Sequence, residues 1–230
     1  PIVEVCRGIT KHHYLVTDVN DIARIVKEAF IIATTGRPGP VVIDVPKDVQ
    51  NWVGPFQGSG TLPVPGYRRR TLELSECSLG APDAERFFDM LAQSRRPLIY
   101  AGGGVIHSGA AQALRELAAE LQIPTVTALM GLGAADTTQP LSMHMLGMHG
   151  SAYANYAVHD CDFLIALGAR FDDRVAGNPA RFAPNAQHIV QIDIDVSEIN
   201  KVKAVSWSHA GLLPDALREL RAYGRRISFH

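Results

Sequence analysis

The feature that most constrains this chain is an alternation that begins near residue 81. Apolar runs of strand length at 97–101, 125–129, 162–167 and 188–194 are interleaved with helical segments at 85–94, 108–122, 151–158 and 213–223. Strands made of consecutive apolar residues are covered on both faces, and strands that alternate with helices pair in parallel. The pattern predicts an α/β fold: a doubly wound parallel sheet, Rossmann-like, with ligands at the carboxyl ends of its strands. No internal repeat is present.

Ahead of the alternation, residues 10–48 read as a partial α/β unit. Tyr14, Leu15 and Val16 form a short apolar run. Asp18 or Asp21 is placed to cap a helix whose apolar positions Ile22, Ile25, Val26, Ala29, Phe30 and Ala33 recur at helical spacing, and Gly36 stops it. After the turn of Arg37, Pro38, Gly39 and Pro40, residues 41–45 predict a strand buried on both faces, ended by Pro46. Residues 49–80 carry Pro55, Gly58, Gly60, Pro63, Pro65 and Gly66 with little apolar periodicity, which predicts a linker. The expected division is 1–48, linker 49–80, a central domain at 81–223 and a tail at 224–230. The chain enters patterned sequence directly from Pro1, so it reads as an internal piece of something longer.

Several functions are excluded early. The net charge is −1 and charged residues make up 20%, without the basic footprint of a nucleic-acid binder. Arg68, Arg69 and Arg70 read as a solvated loop. Cys6, Cys77 and Cys161 are odd in number and far apart, which argues against a disulfide framework and for a reducing compartment. Every apolar run is too short to span a bilayer.

Four stretches carry candidate chemistry. Gly102, Gly103 and Gly104 follow the first strand of the alternation, but His107 takes the last glycine place of a GxGxxG pattern. A plain strand-to-helix turn and a pyrophosphate cradle are both open there. Asp193 ends a strand, where a carboxylate suits ribose or ribityl hydroxyls, whereas Asp195 is favoured as a helix cap. In Gly168-Ala169-Arg170-Phe171-Asp172-Asp173-Arg174 two arginines suit phosphate or carboxylate and two aspartates are placed to fix them. A surface salt-bridge cluster is the alternative, though the position at a strand's carboxyl end favours a site. His144 and His149 lack carboxylate or cysteine companions at ligand spacing, so no metal is expected. Met143, Met145 and Met148 suit packing on something flat and apolar, or filling a core. No nucleophile is assigned.

Joined together, these strings are more specific. Residues 36–48, GRPGPVVIDVPKD, resemble a signature of thiamine-diphosphate enzymes of the acetolactate synthase type. Residues 128–133, ALMGLG, are similar to that family's [ST]LMGLG. Residues 146–157, LGMHGSAYANYA, resemble LGMHGxxxANxA, and residues 168–175, GARFDDRV, resemble G[AV]RFDDRV; QIDID at 191–195 completes the set. The departures are Ala128 at a Ser/Thr position, Ala176 at a Thr position and Leu212 where an aspartate usually follows glycine.

The resemblance implies an architecture of pyrimidine-binding, middle and pyrophosphate-binding domains. Residues 1–48 would end the first, and 81–223 would be a middle domain that binds FAD without using it for net redox chemistry. It implies flavin contacts at Arg37, Gly103, Ala128, Leu129, Met130, Gly131, Leu146, Gly147, Met148, His149, Gly168, Ala169, Arg170, Phe171, Asp172, Asp173, Arg174, Asp193 and Ile194. It places Lys47, Met148, Asp173 and Arg174 on a substrate channel. Thiamine diphosphate and Mg2+ would belong to the full-length enzyme, because the catalytic glutamate and the GDG metal motif fall outside this segment. No catalytic or metal residue is therefore assigned here, and the piece alone should be inactive. The implied reaction condenses two pyruvates, or pyruvate with 2-oxobutyrate, to 2-acetohydroxy acids with release of CO2, in branched-chain amino-acid biosynthesis. Implied partners are the rest of the polypeptide, further copies in a homodimer or homotetramer, and a regulatory small subunit, with no nucleic acid and no membrane. The compartment would be bacterial cytoplasm, a plastid or the mitochondrial matrix. Two other readings stay open: a related thiamine-diphosphate carboligase or decarboxylase without flavin, and a noncatalytic nucleotide-binding module.

Overall fold

The structure is a computed structural model and describes residues 1–55, 57, 69, 73 and 77–229. Most of the expected linker at 49–80, with Arg68 and Arg70 of the arginine cluster, lies outside the described residues. The chain divides into two compact units, Pro1–Leu74 and Ser75–His230.

In the first unit, helix α1 (Ile2–Cys6) precedes strand β1 (His12–Leu15), helix α2 (Ile22–Thr34), strand β2 (Val41–Asp44) and the helical turn α3 (Lys47–Gln50). β1 and β2 pair in parallel, with His12 opposite Val41. Asp18 caps a short 3-10 turn by accepting from the Asn20 amide, while Asp21 spends its carboxylate on Arg24. α2 buries Ile25, Ala29 and Ile32 and leaves Val26 and Phe30 exposed, a narrower apolar face than the spacing predicts. β2 is half-buried throughout rather than buried on both faces, because β1 is its one strand partner among the described residues. Gly36, at φ +65°, turns the chain after α2. Lys11 donates there to the carbonyls of Ile32 (2.6 Å), Arg37 (3.0 Å) and Thr35, where a helix end favours a cation.

The second unit opens with helix α4 (Ala81–Leu91), strand β3 (Pro97–Ala101), helices α5 (Gly103–His107) and α6 (Ala111–Leu121), and strands β4 (Thr125–Thr127) and β5 (Ser142–Met145). It continues with helix α7 (Ala152–Asp160), strands β6 (Phe163–Leu167), β7 (His188–Asp193) and β8 (Trp207–Ala210), and helix α8 (Leu213–Arg226). The strands form one sheet in the order β5-β4-β3-β6-β7-β8, parallel at every pairing. This is the doubly wound α/β fold the alternation calls for. Successive side chains of a strand face opposite ways. Ile99, Ala101 and Ile165 accordingly join α4, α6 and α8 in one apolar cluster, while Leu98, Tyr100 and Leu164 join α7 in another.

β5 and β8 have no counterpart in the sequence reading. Both lie at sheet edges and mix polar with apolar residues, so neither shows the continuous apolar run of a central strand. Ser108 does not cap the following helix; it ends α5, its hydroxyl donating to the Gly104 carbonyl at 2.7 Å, and α6 starts after Ala110. α8 runs three residues past the expected 223, to Arg226. It ends in a Schellman turn, with Ser228 in the left-handed region and the Phe229 amide bonded to the Gly224 carbonyl. Phe229 then packs on Phe88, ring centroids 5.0 Å apart. At the entry to β3, Asp162 accepts from the amides of Arg95 (2.8 Å) and Arg96 (2.9 Å) and from the Ser94 hydroxyl. No helix among the described residues is long and apolar enough to cross a membrane.

Candidate functional site

The strand order reverses between β3 and β6. The chain runs outward from β3 through β4 to β5, then returns to the other side of β3 for β6, β7 and β8. In open sheets of this kind the crevice at the carboxyl ends beside such a reversal is where ligands sit.

Hydrogen bonds continue the ladder past the strand ends. Leu146 donates to Thr127, Ala128 to Ala101, Gly102 to Leu167, Gly168 to Ile192, and Gly211 to Asp193, at 2.9 to 3.1 Å. This draws residues 102–104, 128–131, 146–149, 168–174 and 193–194 into one rim along the sheet edge. The resemblance-derived residues of the second unit are thus brought together. Arg37 and Lys47 belong to the first unit, Arg37 in the turn after α2 and Lys47 opening α3.

The glycines of the rim serve close backbone packing. A Cβ on Gly102 would stand 2.2 Å from the Gly168 carbonyl oxygen, and one on Gly131 2.3 Å from that of Ala101. Gly103 is looser, its added Cβ meeting the Cβ of Met130 at 3.0 Å. The strand-to-helix turn left open in the sequence is therefore built on contact between the β3 and β6 ends.

The side chains on the rim divide into two kinds. Ala169 and Phe171 are buried, so they present backbone there; Phe171, at φ +55°, packs against Tyr100 and Phe182. Leu129, Met130 and Met148 expose 66%, 65% and 63% of their surface. His149 and Arg170 are exposed too. The aspartates do not fix the arginines as expected. Asp172 accepts from the Arg174 amide at 3.1 Å, and Asp173 lies 4.0 Å from an Arg174 guanidinium that is 72% exposed. Arg170 has no carboxylate partner among the described residues. Burial raises the Tyr100 phenol, which the Asp172 charge also raises and Arg170 opposes, so Tyr100 stays neutral beside this loop.

Asp193 is buried, and its carboxylate accepts from the Asp195 amide at 2.9 Å. Asp195 caps a 3-10 turn through Ser197, as expected. Two polar residues gain weight only in three dimensions. Gln191 is fully buried, its amide donating to the Ala169 carbonyl at 3.1 Å; a glutamine inside an apolar run was the available signal. Asn155 grips the Gly147 backbone; the two residues share the string at 146–157, which fixes both positions without showing that they touch. Leu212, at the family's usual aspartate position, is the N-cap residue of α8 and caps nothing with its side chain.

A parallel sheet wound on both faces, with its strand order reversing between β3 and β6, defines a Rossmann-like α/β domain. The family model "Thiamine pyrophosphate enzyme, central domain" matches residues 84–220, and the chain belongs to that family. It is 49% identical over 203 residues to acetolactate synthase 1, chloroplastic, of Zea mays, covering 88% of this chain and 31% of that one. It is 46% identical over 218 residues to acetolactate synthase, chloroplastic, of Arabidopsis thaliana, covering 95% and 32%. The chain thus spans about a third of the length of the curated relatives it matches.

Proposed function

We propose that this chain is the part of an acetolactate synthase whose second unit binds FAD. Near-half identity to acetolactate synthases across most of the chain carries the reaction: condensation of two pyruvates, or of pyruvate with 2-oxobutyrate, with release of CO2. The rim supports the flavin reading. FAD needs cations for its diphosphate, a flat apolar bed for its ring and acceptors for its hydroxyls. Arg170 and Arg174 offer exposed guanidinium groups, Met130 and Met148 exposed side chains, and Asp193 a carboxylate at the carboxyl end of β7. The residues present fit the group.

In this reading Arg170 and Arg174 hold the diphosphate by charge-assisted bonds, and the methionines exclude water from the ring face. Thiamine diphosphate, with Mg2+, supplies the electron sink for the carbanion, and FAD adds no net redox chemistry. Met148, Asp173 and Arg174 also line the substrate channel, and Arg37 and Lys47 keep the roles the resemblance gives them. Further copies of the chain and a regulatory small subunit complete the proposed assembly. The names of the relatives favour a plastid for a plant source.

The test is the intact enzyme, purified with thiamine diphosphate and Mg2+. It should consume pyruvate, form acetolactate, and release flavin absorbance on denaturation. A colourless enzyme with full activity would overturn the flavin assignment in favour of a flavin-free thiamine carboligase. Absence of acetolactate formation would overturn the reaction.

A further inference from the structure

The loop between β5 and α7 carries Leu146, Gly147, Met148 and His149, and a side chain outside it holds its shape. The Asn155 Oδ1 accepts from the Gly147 amide at 2.9 Å, and its Nδ2 donates to the Gly147 carbonyl at 3.0 Å. One side-chain amide thereby satisfies both backbone groups of one residue, as a neighbouring strand would. The orientation of that amide is fixed, since a flip would set donor against donor and acceptor against acceptor.

On its other side Gly147 is closed in by the backbone of Arg174. Gly147 has φ +95°, and a Cβ there would lie 2.8 Å from the Arg174 carbonyl oxygen. The next amide, of Met148, donates to that same oxygen at 2.9 Å, and the Met148 sulfur lies 3.9 Å from the Arg174 guanidinium. Asn155 is itself well anchored. Ser151 caps its helix by accepting from the Ala154 amide, the Ser151 amide donates to Met145, and Ala154 is fully buried.

We infer that Asn155 is a positioning residue: by clamping Gly147 it sets where Met148 and Arg174 stand on the rim. The clamp stands on the hydrogen bonds alone, while its consequence for a ligand rests on the flavin reading above. Loss of the clamp frees a glycine with wide backbone freedom, and Met148 then leaves its place beside Arg174.

The experiment uses the intact enzyme with Asn155→Ala and Asn155→Asp. Two readouts are taken: the methyl resonance of Met148 in flavin-free protein, and the dissociation constant and absorbance band shape of added FAD. Both variants should shift the Met148 resonance at neutral pH, and the melting temperature should fall by several degrees with the protein still folded. FAD binding should weaken on the order of tenfold as Met148 and Arg174 lose their positions. Asn155→Asp keeps the acceptor and regains a donor when protonated, so its resonance and affinity should return toward the parent as pH falls toward the carboxylate range, a trend absent from Asn155→Ala. A Met148 resonance unmoved in both variants overturns the inference, as does unchanged FAD affinity where the parent binds FAD. A shifted resonance in an enzyme whose parent binds no FAD upholds the clamp and overturns the flavin reading.

Discussion

The Cα atoms of Gly104 and Gly168 approach across the β3–β6 junction so closely that a Cβ on Gly168 would lie 2.6 Å from the Gly104 Cα, and one on Gly104 2.7 Å from the Gly168 Cα. Both obstacles are backbone, which cannot rotate aside. Gly104→Ala should cost about 1 to 3 kcal/mol by overpacking. Gly168→Ala should cost more, because Gly168 also sits at φ +54°. Thermal unfolding reads this as a fall of about 2 to 4 °C per kcal/mol in a domain of this size. Melting temperatures equal to the parent's would show that the junction is not packed as described.

Leu212 sits at φ −73°, ψ 120° at the head of α8, an N-cap geometry with no side-chain acceptor for the free amides that follow. Leu212→Asp and Leu212→Asn should each stabilise the unit by about 0.5 to 1 kcal/mol, part of the capping gain being offset by lost leucine burial. Differential scanning calorimetry should show a higher melting temperature for both. A fall in both would mean that leucine packing outweighs the cap.

Glu120 receives hydrogen bonds from Arg221 and Arg225, which hold its carboxyl well down, from an ordinary 4.5 to about 2. A depressed carboxylate stabilises the fold above its unfolded value and loses that contribution as pH falls from about 5 toward 2. The network is partly open to solvent, so screening leaves about 1 kcal/mol of it. Glu120→Gln should therefore lower stability at neutral pH and flatten the acid side of the stability curve. Denaturant titrations at several pH values would decide this, and curves parallel to the parent's would contradict it.

Asp162 gathers the Ser94 hydroxyl and the amides of Arg95 and Arg96 just before β3. Burial pushes its carboxyl up, yet these hydrogen bonds win and hold it below the usual range. Asp162→Ala should cost about 2 to 3 kcal/mol, the scale of bonds to a charged acceptor. Asp162→Asn, which keeps acceptor capacity, should cost less. Equal losses in chemical denaturation would mean that volume rather than bonding matters there.

The central strands were legible because burial on both faces demands unbroken apolar runs: β3 was expected at its observed bounds, and β6 and β7 to within a residue at an end. β5 and β8 were not, since an edge strand tolerates residues such as His144, Ser208 and His209. The apolar spacing of α2 was legible, but Phe30 on it is exposed, because periodicity says which residues share a face and not how far a neighbour covers it. At the rim, the strings at 128–131, 146–149 and 168–174 were found as strings. Their roles divide only in the fold, where Phe171 turns inward and Met148 outward.

The sequence by itself determined the class of this chain. Apolar runs broken by glycine and separated by amphipathic segments admit few arrangements other than a parallel sheet wound on both faces. It also determined the family, through strings that lie far apart along the chain. Only the tertiary structure decided which strand ends meet. Gly102 and Gly104 touch Gly168 across more than sixty positions because the strand order reverses between β3 and β6. The same reversal lines up the rim. Asn155 can hold Gly147 only after the β5–α7 connection has folded back on itself. Contacts of this kind depend on how the connections close in space, and no local preference of the residues encodes that.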